Sequence, residues 1–478
     1  MSPQSSPGAP TLSGFTVRVA LAILGTALAF TLLPTGAGAT RRVAGHRAPP
    51  SASAARKLSG RAGRCARGAL RLHSSYRQYR LCLRDGRLRG RQTTKRVTAP
   101  AQPPPTSVTP PCCKPPPSPA PPTAPPVAAT KLTAAVYGDA PYGTSPSDTS
   151  QFQATPAFID AVNADPKVQL VMQVGDIHSG KQYCTAAYDQ SIVDLWARFA
   201  DPLVYTPGDN EWADCHKTGE GGGAYNATTQ RIDYSTDAGG NPIDYANGDP
   251  VANLDLVRLK FFPRAGSTLG ASPMNVLSQA QAADPAHPTD REYVENVMWE
   301  RTGVLFVTVD VPGGSNNGTD PWYGAPSQGT AQQREVANRT GADLRWLSTA
   351  FAKAKADGMS AMVVDWQADV WDLDGKPAAH LAQYDQFVNA AADGATAFGR
   401  PVLMLNGDSH EYKSDNPLAA SDPANALHPG HDVANFHRVV VHGSTAPLEY
   451  LRLGIDTAQD NPTSATSFGP FSWERVVP

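Results

Sequence analysis

From residue 131 onward, short β-rich runs alternate with amphipathic helical runs, and this alternation most strongly limits what the 478-residue chain can fold into. Such alternation favours an α/β domain built on a core sheet. Runs rich in Gly, Asn, Asp, Ser and Ala are predicted to be inserted loops, at 217–250 and 265–290. The strand candidates are 133–137, 168–174, 203–205, 304–309, 360–364, 402–405 and 439–441. The helix candidates are 152–163, 186–199, 251–261, 332–356 and 381–392.

Four of the predicted strands end in an acid-rich turn that begins with glycine. The turns are Gly138-Asp139, Gly175-Asp176, Gly208-Asp209-Asn210-Glu211 and Gly407-Asp408-Ser409-His410. Ligand sites in α/β proteins lie outside the carboxyl ends of the strands, so we expect these acids to meet at one edge. Glycine permits a tight turn there, and hard divalent cations prefer carboxylate oxygens. One Gly-Asp pair means little, because both residues are common in turns, but four of them predict a metal site.

In order and spacing, these turns resemble the motifs of the calcineurin-like metallophosphoesterases, a superfamily that includes the purple acid phosphatases. A further motif of that family has its counterpart in Trp366-Gln367-Ala368-Asp369, and the resemblance covers residues 131–455. It implies a two-sheet β-sandwich flanked by helices, in four layers α/β/β/α, within a domain at 131–478. It also implies hydrolysis of phosphomonoesters or phosphodiesters by a water that two bound metal ions activate.

The resemblance assigns metal-binding roles to six side chains. Asp139 and His410 would bind the first ion, and Asp176 would bridge the two ions. The side chains assigned to the second ion are Asp209, Gln367 and Asp408. Because this second set offers only oxygen, it favours Mg, Mn or Ca, with Zn or Fe as the alternatives.

Two histidines of the family pattern are replaced here, by Pro141 in the first motif and by Asn210 in the third. Asn210 can donate a hydrogen bond to a phosphoryl oxygen but cannot supply a proton. Two nearby histidines are candidates to compensate, His178 as a metal ligand and His216 as a general acid. The alternative is that each is an ordinary polar loop residue. Without a proton donor, the site should prefer good leaving groups or turn over slowly.

The first 130 residues differ sharply in charge from the rest. They hold nineteen Lys and Arg residues and one acid, Asp85, whereas the remainder holds 22 basic and 42 acidic residues. Residues 1–39 are predicted to be a signal peptide, because Arg18 precedes an apolar run at 19–33 and small residues follow it. A membrane anchor that is not cleaved is the alternative. Residues 40–98 form an Arg-rich segment predicted to be partly disordered, and 99–130 form a Pro-rich linker.

These features predict a protein that is secreted or associated with the cell envelope. Residues 41–98 suit an anionic envelope polymer as partner, with a merely solvated tail as the alternative. The six cysteines fit an oxidising compartment and show no spacing of a structural zinc site. Cys65–Cys82 and Cys184–Cys215 are plausible disulfides, although the sequence does not settle the connectivity.

Two functions are consistent with these patterns. The leading one is an exported metal-dependent phosphoesterase acting on a phosphate-ester substrate. The alternative is a non-catalytic cell-surface binding protein on a decayed phosphoesterase fold. Asp209 and Asp408 favour activity, because both replacements can still donate an oxygen ligand. A nucleic-acid function is not favoured, because no base-reading motif accompanies the Arg-rich segment, and the sequence makes no prediction of oligomeric state.

Overall fold

The computed structural model describes residues 130–373 and 377–478. The predicted signal peptide at 1–39, the Arg-rich segment at 40–98, the Cys65–Cys82 pair and the linker up to residue 129 lie outside the described residues. Within the described part of the chain, no helix combines the length and the apolar character needed to span a bilayer.

The described residues form two seven-stranded sheets and a separate two-stranded hairpin. The strands are β1 (Lys131–Tyr137), β2 (Leu170–Gln173), β3 (Leu203–Tyr205), β4 (Gly223–Asn226), β5 (Arg231–Tyr234), β6 (Leu277–Ser278), β7 (Val297–Arg301), β8 (Val304–Thr308), β9 (Ala361–Asp365), β10 (Val402–Asn406), β11 (Lys413–Asp415), β12 (Phe436–Val440), β13 (Tyr450–Asp456), β14 (Asn461–Ser464), β15 (Ser467–Gly469) and β16 (Phe471–Val476). The first sheet has the order β14-β15-β16-β13-β1-β2-β3, and the second has the order β11-β12-β10-β9-β8-β7-β6. Strands β4 and β5 form the hairpin.

Helices connect the central strands and cover the outer faces of the sheets. They are α1 (Ser150–Ala164), α2 (Ala186–Trp196), α3 (Pro250–Phe261), α4 (Gln279–Ala282), α5 (Thr330–Ala356), α6 (Ala378–Leu381) and α7 (Asp385–Phe398). Local chemistry explains where some of them begin. Thr185 accepts a hydrogen bond from the Tyr188 backbone at the start of α2, and Asp249 caps α3 ahead of a proline in its first turn.

Apolar side chains fill three layers and hold the two sheets face to face. Val136 of the first sheet and Phe306 of the second belong to the middle layer. Trp196 packs α2 on the outer face of the first sheet, and Trp346 and Phe387 pack α5 and α7 on the outer face of the second. The predicted four-layer α/β/β/α architecture is therefore confirmed.

The central strands of each sheet run parallel, which places their carboxyl ends at one edge. In the first sheet β1, β2 and β3 pair in parallel, and in the second sheet β8, β9, β10 and β12 do so. Strands β2, β3, β8, β9, β10 and β12 are buried along their whole length. Burial on both faces is typical of parallel strands covered by another layer on each side.

All seven predicted strands are present with small shifts of their ends. The loop predictions are wrong in part, because the hairpin β4–β5 lies within 217–250, and β6 and α4 lie within 265–290. The last predicted helix, 381–392, is displaced to Asp385–Phe398. Several strands have no counterpart in the prediction, and two of them, β14 and β15, are only four and three residues long.

Gly394 in α7 packs directly against Phe351 of α5, where a Cβ would lie 2.2 Å from the ring. We expect Gly394→Ala to lower the free energy of unfolding by about 1–3 kcal/mol, because the ring must move within a packed layer. Gly341→Ala is the control, since its Cβ would meet only the flexible end of Arg345 at 3.2 Å. It should raise stability by about 0.5–1 kcal/mol. Urea unfolding measures both, and a Gly394→Ala protein as stable as wild type would contradict this packing.

Candidate metal centre

The acid-rich turns converge where the two sheets present the carboxyl ends of their parallel strands. Asp139, Asp176 and Asp209 follow β1, β2 and β3, whereas Asp408 and His410 follow β10 of the second sheet. The backbone is left-handed at Asp139, with φ 47°, at Asp176, with φ 62°, and at Asp408, with φ 71°. Residues other than glycine rarely adopt this conformation, and such residues concentrate at functional sites.

The glycines before these acids mainly let neighbouring carboxylates approach the backbone. A Cβ on Gly208 would lie 2.0 Å from Asp176 Oδ1, and a Cβ on Gly407 would lie 2.4 Å from Asp139 Oδ2. The expectation that glycine makes the turn is right at Gly175, where φ is 102°. At Gly208 and Gly407, the missing side chain leaves the space that the neighbouring carboxylates occupy.

Asp139, Asp176 and His410 offer ligand atoms that lie within 4.8 Å of one another. His410 Nε2 lies 3.6 Å from Asp139 Oδ1. The other oxygen of Asp139, Oδ2, is buried and has no hydrogen-bond partner. A buried carboxylate oxygen without a donor is costly, and a cation bound to it removes that cost. These three side chains therefore fit one divalent ion.

Asp209 and Asp408 both lie close to the Cα of Gly313. The point that a Cβ on Gly313 would occupy is 2.7 Å from Asp408 Oδ1 and 2.8 Å from Asp209 Oδ1. Asp408 also accepts the backbone N–H of Asp369 at 3.1 Å and donates its own N–H to Asp139 Oδ1 at 2.9 Å. Among the described residues, Asp209 and Asp408 do not join the group of ligand atoms that lie within 4.8 Å of one another, so they are candidates for a second, oxygen-liganded ion only by their proximity to that group.

Gln367 lies beside these carboxylates, but its amide holds them in place rather than presenting a free oxygen. Its Oε1 accepts the Gly313 N–H at 2.5 Å, and its Nε2 donates to Asp209 Oδ1 at 3.2 Å. A backbone N–H can only donate and an ionised carboxylate can only accept, so the two bonds determine the orientation of the amide. The predicted role of Gln367 as a metal ligand would require breaking the bond to Gly313. The geometry favours a role in orienting Asp209.

Burial and mutual repulsion dominate the electrostatics of the cluster. Burial raises the pKa of Asp139, and the nearby carboxylates of Asp408 and Asp209 raise it further. Burial, followed by Asp209 and Glu211, likewise raises the pKa of Asp176. Divalent cations would oppose both effects, because positive charge stabilises the ionised carboxylates. The donor set therefore fits hard divalent ions in charge as well as in ligand type.

Tyr142 is a site residue that lies outside the sequence motifs. Its hydroxyl donates to Asp176 Oδ2 at 2.5 Å, and its ring packs edge-on against His410 with centroids 5.0 Å apart. Asn210 Nδ2 donates to the same Asp176 oxygen at 3.0 Å and to the Tyr142 hydroxyl at 2.8 Å. Tyr142 and Asn210 together hold the predicted bridging carboxylate. The sequence offered only one signal for Tyr142, which was its position three residues after Asp139.

The two histidines suggested as compensation lie outside the group of converging ligand atoms. His178 is fully buried, its Nε2 has no hydrogen-bond partner, and burial lowers its pKa to about 4. His216 Nδ1 accepts the backbone N–H of Tyr323 at 3.0 Å, and burial lowers its pKa to about 4. At pH 7 both rings are neutral, so neither holds the acidic proton that a general acid donates.

A disulfide joins Cys184 and Cys215, which confirms one of the two predicted pairs. The two cysteines are 31 residues apart in sequence and follow β2 and β3 respectively. The loops they join are those that carry Asp176 and Asp209. The crosslink therefore restrains two of the segments from which the carboxylates project.

No protein-family model matches this chain, and no curated protein sequence matches it. Among solved structures, the chain aligns with a purple acid phosphatase from yellow lupin (Lupinus luteus) seeds at 11% sequence identity and a TM-score of 0.32. The alignment covers 72% of this chain and 54% of the lupin chain, so it spans about half of that protein. So distant a likeness carries no argument about activity, which has to be inferred from the side chains of this chain.

We expect Tyr142→Phe to weaken divalent cation binding about 10–100-fold, because Asp176 loses the hydroxyl that orients it. Calorimetric titration of the full chain with Mn²⁺ measures the effect. Tyr245→Phe is the control, because the Tyr245 ring is 41% exposed, and it should bind as wild type does. An unchanged affinity in Tyr142→Phe would show that the hydroxyl does not orient the carboxylate.

Proposed function

We propose that this protein is an exported metal-dependent hydrolase of phosphate monoesters or diesters. The observation that carries the proposal is that Asp139, Asp176 and His410 present ligand atoms within 4.8 Å of one another, with Asp139 Oδ2 buried and unpartnered. Asp209 and Asp408 follow β3 and β10 at the same edge. Three of these acids, Asp139, Asp176 and Asp209, are buried, and buried acids in this number are costly without compensating cations. A pair of cations clamped by carboxylates is a recurrent solution for displacement at phosphorus.

The candidate ligands form two sets that share Asp176. Asp139, Asp176 and His410 would hold one ion, and Asp176, Asp209 and Asp408 would hold the other. Mg, Mn or Ca are favoured at the second position, because its ligands are all oxygen, with Zn or Fe as the alternatives. When bound, the ions would supply positive charge for the phosphate oxygens and lower the pKa of a water molecule.

The remaining polar side chains orient the carboxylates rather than move protons. Asn210 directs its side-chain N–H groups to Asp176 and Tyr142, so a bond to a phosphoryl oxygen would require giving up one of these contacts. His178 and His216 are neutral at pH 7, since burial lowers both pKa values to about 4. Protonation of the leaving group therefore falls to water. This favours esters with good leaving groups, such as aryl phosphates, over alkyl phosphates.

Export and envelope association are part of the proposal. The predicted signal peptide and the Cys184–Cys215 disulfide support an oxidising compartment outside the cytoplasm. The Arg-rich segment at 41–98 would bring the acidic body close to an anionic envelope polymer through the Pro-rich linker.

A non-catalytic binding protein is the second candidate. Pro141 and Asn210 replace family histidines, and the two neutral histidines supply no substitute proton. Metal binding alone does not separate the candidates, because the same carboxylates would hold ions in either protein. Turnover separates them.

We expect Asp176→Asn in the full chain to abolish metal-dependent hydrolysis, because both ions lose a shared ligand. The loss in turnover should exceed the about 10–100-fold cost of removing an outer-shell partner. The assay is hydrolysis of aryl and alkyl phosphate mono- and diesters with Mg, Mn, Ca, Zn or Fe added, alongside metal analysis. Asp160→Asn is the control, because its side chain is 66% exposed. Bound metal without turnover on any ester would favour the binding protein, and neither metal nor turnover would reject both candidates.

A further inference from the structure

The segment beside Asp209 and Asp408 has an unusual backbone. Four consecutive residues are left-handed, with φ of 58° at Gly314, 61° at Ser315, 55° at Asn316 and 57° at Asn317. The left-handed conformation costs non-glycine residues about 1–2 kcal/mol each. A run of this kind persists only where the surroundings hold it in place.

One fully buried cation holds this turn. Arg339, near the middle of α5, donates from Nη1 to Asn316 Oδ1 at 2.6 Å and from Nη2 to the Asn316 carbonyl at 3.0 Å. Nη1 also donates to the Asp310 carbonyl at 3.1 Å, just before the turn. Glu335, one helical turn earlier, accepts from Nε at 2.6 Å and balances the charge. The planar guanidinium therefore binds both Asn316 in the turn and the Asp310 carbonyl that precedes it, as a lysine ammonium could not.

The same guanidinium contacts the loop that carries Asp209. Its carbon lies 5.2 Å from the centroid of the Trp212 ring. Trp212 is fully buried, and its backbone N–H donates to the Asp209 carbonyl at 3.3 Å. Arg339 thus contacts two segments that lie beside the Asp209 carboxylate, the left-handed turn and the loop after β3.

The left-handed turn positions Asp209 and Asp408, the carboxylates proposed for the second ion. Gly313 leaves the space between Asp209 and Asp408 open, and its N–H holds the Gln367 amide that donates to Asp209. Displacement of the turn would close that space or release the amide. The first-ion group of Asp139, Asp176 and His410 includes no residue of this turn.

We propose that Arg339 is a positioning residue for the second ion, acting through the left-handed turn at 313–317 and through Trp212. This inference rests on the proposed two-ion function, and Arg339 contacts neither the ions nor the substrate. Loss of the planar guanidinium should weaken binding of the second ion selectively, while the first ion binds as before.

The test is a titration of the full chain with Mn²⁺, with stoichiometry from equilibrium dialysis and spin coupling between paired ions from electron paramagnetic resonance. In Arg339→Lys, which keeps the charge but loses the fork, the dissociation constant of the second Mn²⁺ should rise about 10–100-fold. The dissociation constant of the first Mn²⁺ should not change. Arg258→Lys is the matched control, because Arg258 is a partly buried arginine, with its side chain 14% exposed, whose guanidinium binds Glu295 instead. It should bind both ions as wild type does.

A milder pair of variants decides the matter if Arg339→Lys does not fold. Asn316→Gly and Ser315→Gly both place glycine at a left-handed position, but only the former removes a side chain that Arg339 holds. We expect Asn316→Gly to weaken the second ion and Ser315→Gly to leave it unchanged.

Each of the following outcomes would overturn the inference. Wild-type affinity for the second ion in Arg339→Lys and Asn316→Gly would show that the turn does not depend on this fork. Equal weakening of both ions, or the same loss in Arg258→Lys, would show general destabilisation. A wild-type chain that binds no Mn²⁺ would remove the two-ion function, and the inference with it, whereas two ions retained in every variant would remove the inference alone.

Discussion

Repulsion among carboxylates gathered at one edge of the sandwich is the constraint that the rest of this region has to satisfy. Burial makes it stronger, since water no longer screens Asp139 and Asp176. Protein donors offset part of this negative charge. Tyr142 donates a hydrogen bond to Asp176, and Gln367 donates one to Asp209. One oxygen, Asp139 Oδ2, receives no donor. Bound divalent cations would relieve the repulsion that these donors leave.

The arrangement depends on rigid neighbours rather than on the acids themselves. Parallel strands buried on both faces deliver the acid-rich turns, a disulfide joins the two loops after β2 and β3, and the Arg339 fork ties a left-handed turn to the Trp212 ring. Functional groups held by packed elements keep their geometry better than groups on free loops. The strained backbone at Asp139 and Asp176 is tolerated because packed neighbouring elements hold it in the left-handed conformation.

Sequence patterns predicted the parts of this protein that repeat a simple rule. Apolar runs ending in Gly-Asp located the strands and the acids, because strand ends in a parallel sheet share an edge. They could not show that Gly313 lies beside both Asp209 and Asp408, since that contact joins residues about a hundred positions apart in the chain. The orientation of the Gln367 amide and the burial of Arg339 within a polar helix were hidden for the same reason. Periodicity identifies the face on which a side chain lies, but tertiary packing decides what it touches.

The candidate centre draws its side chains from both halves of the sandwich, three aspartates following strands of the first sheet and the Asp408–His410 turn following a strand of the second. An ion bound there would link residues that follow strands of both sheets. Only the assembled sandwich would present the full set of ligands, so mass action would couple occupancy to assembly. The availability of ions would then affect the stability of the folded sandwich as well as any chemistry at its edge.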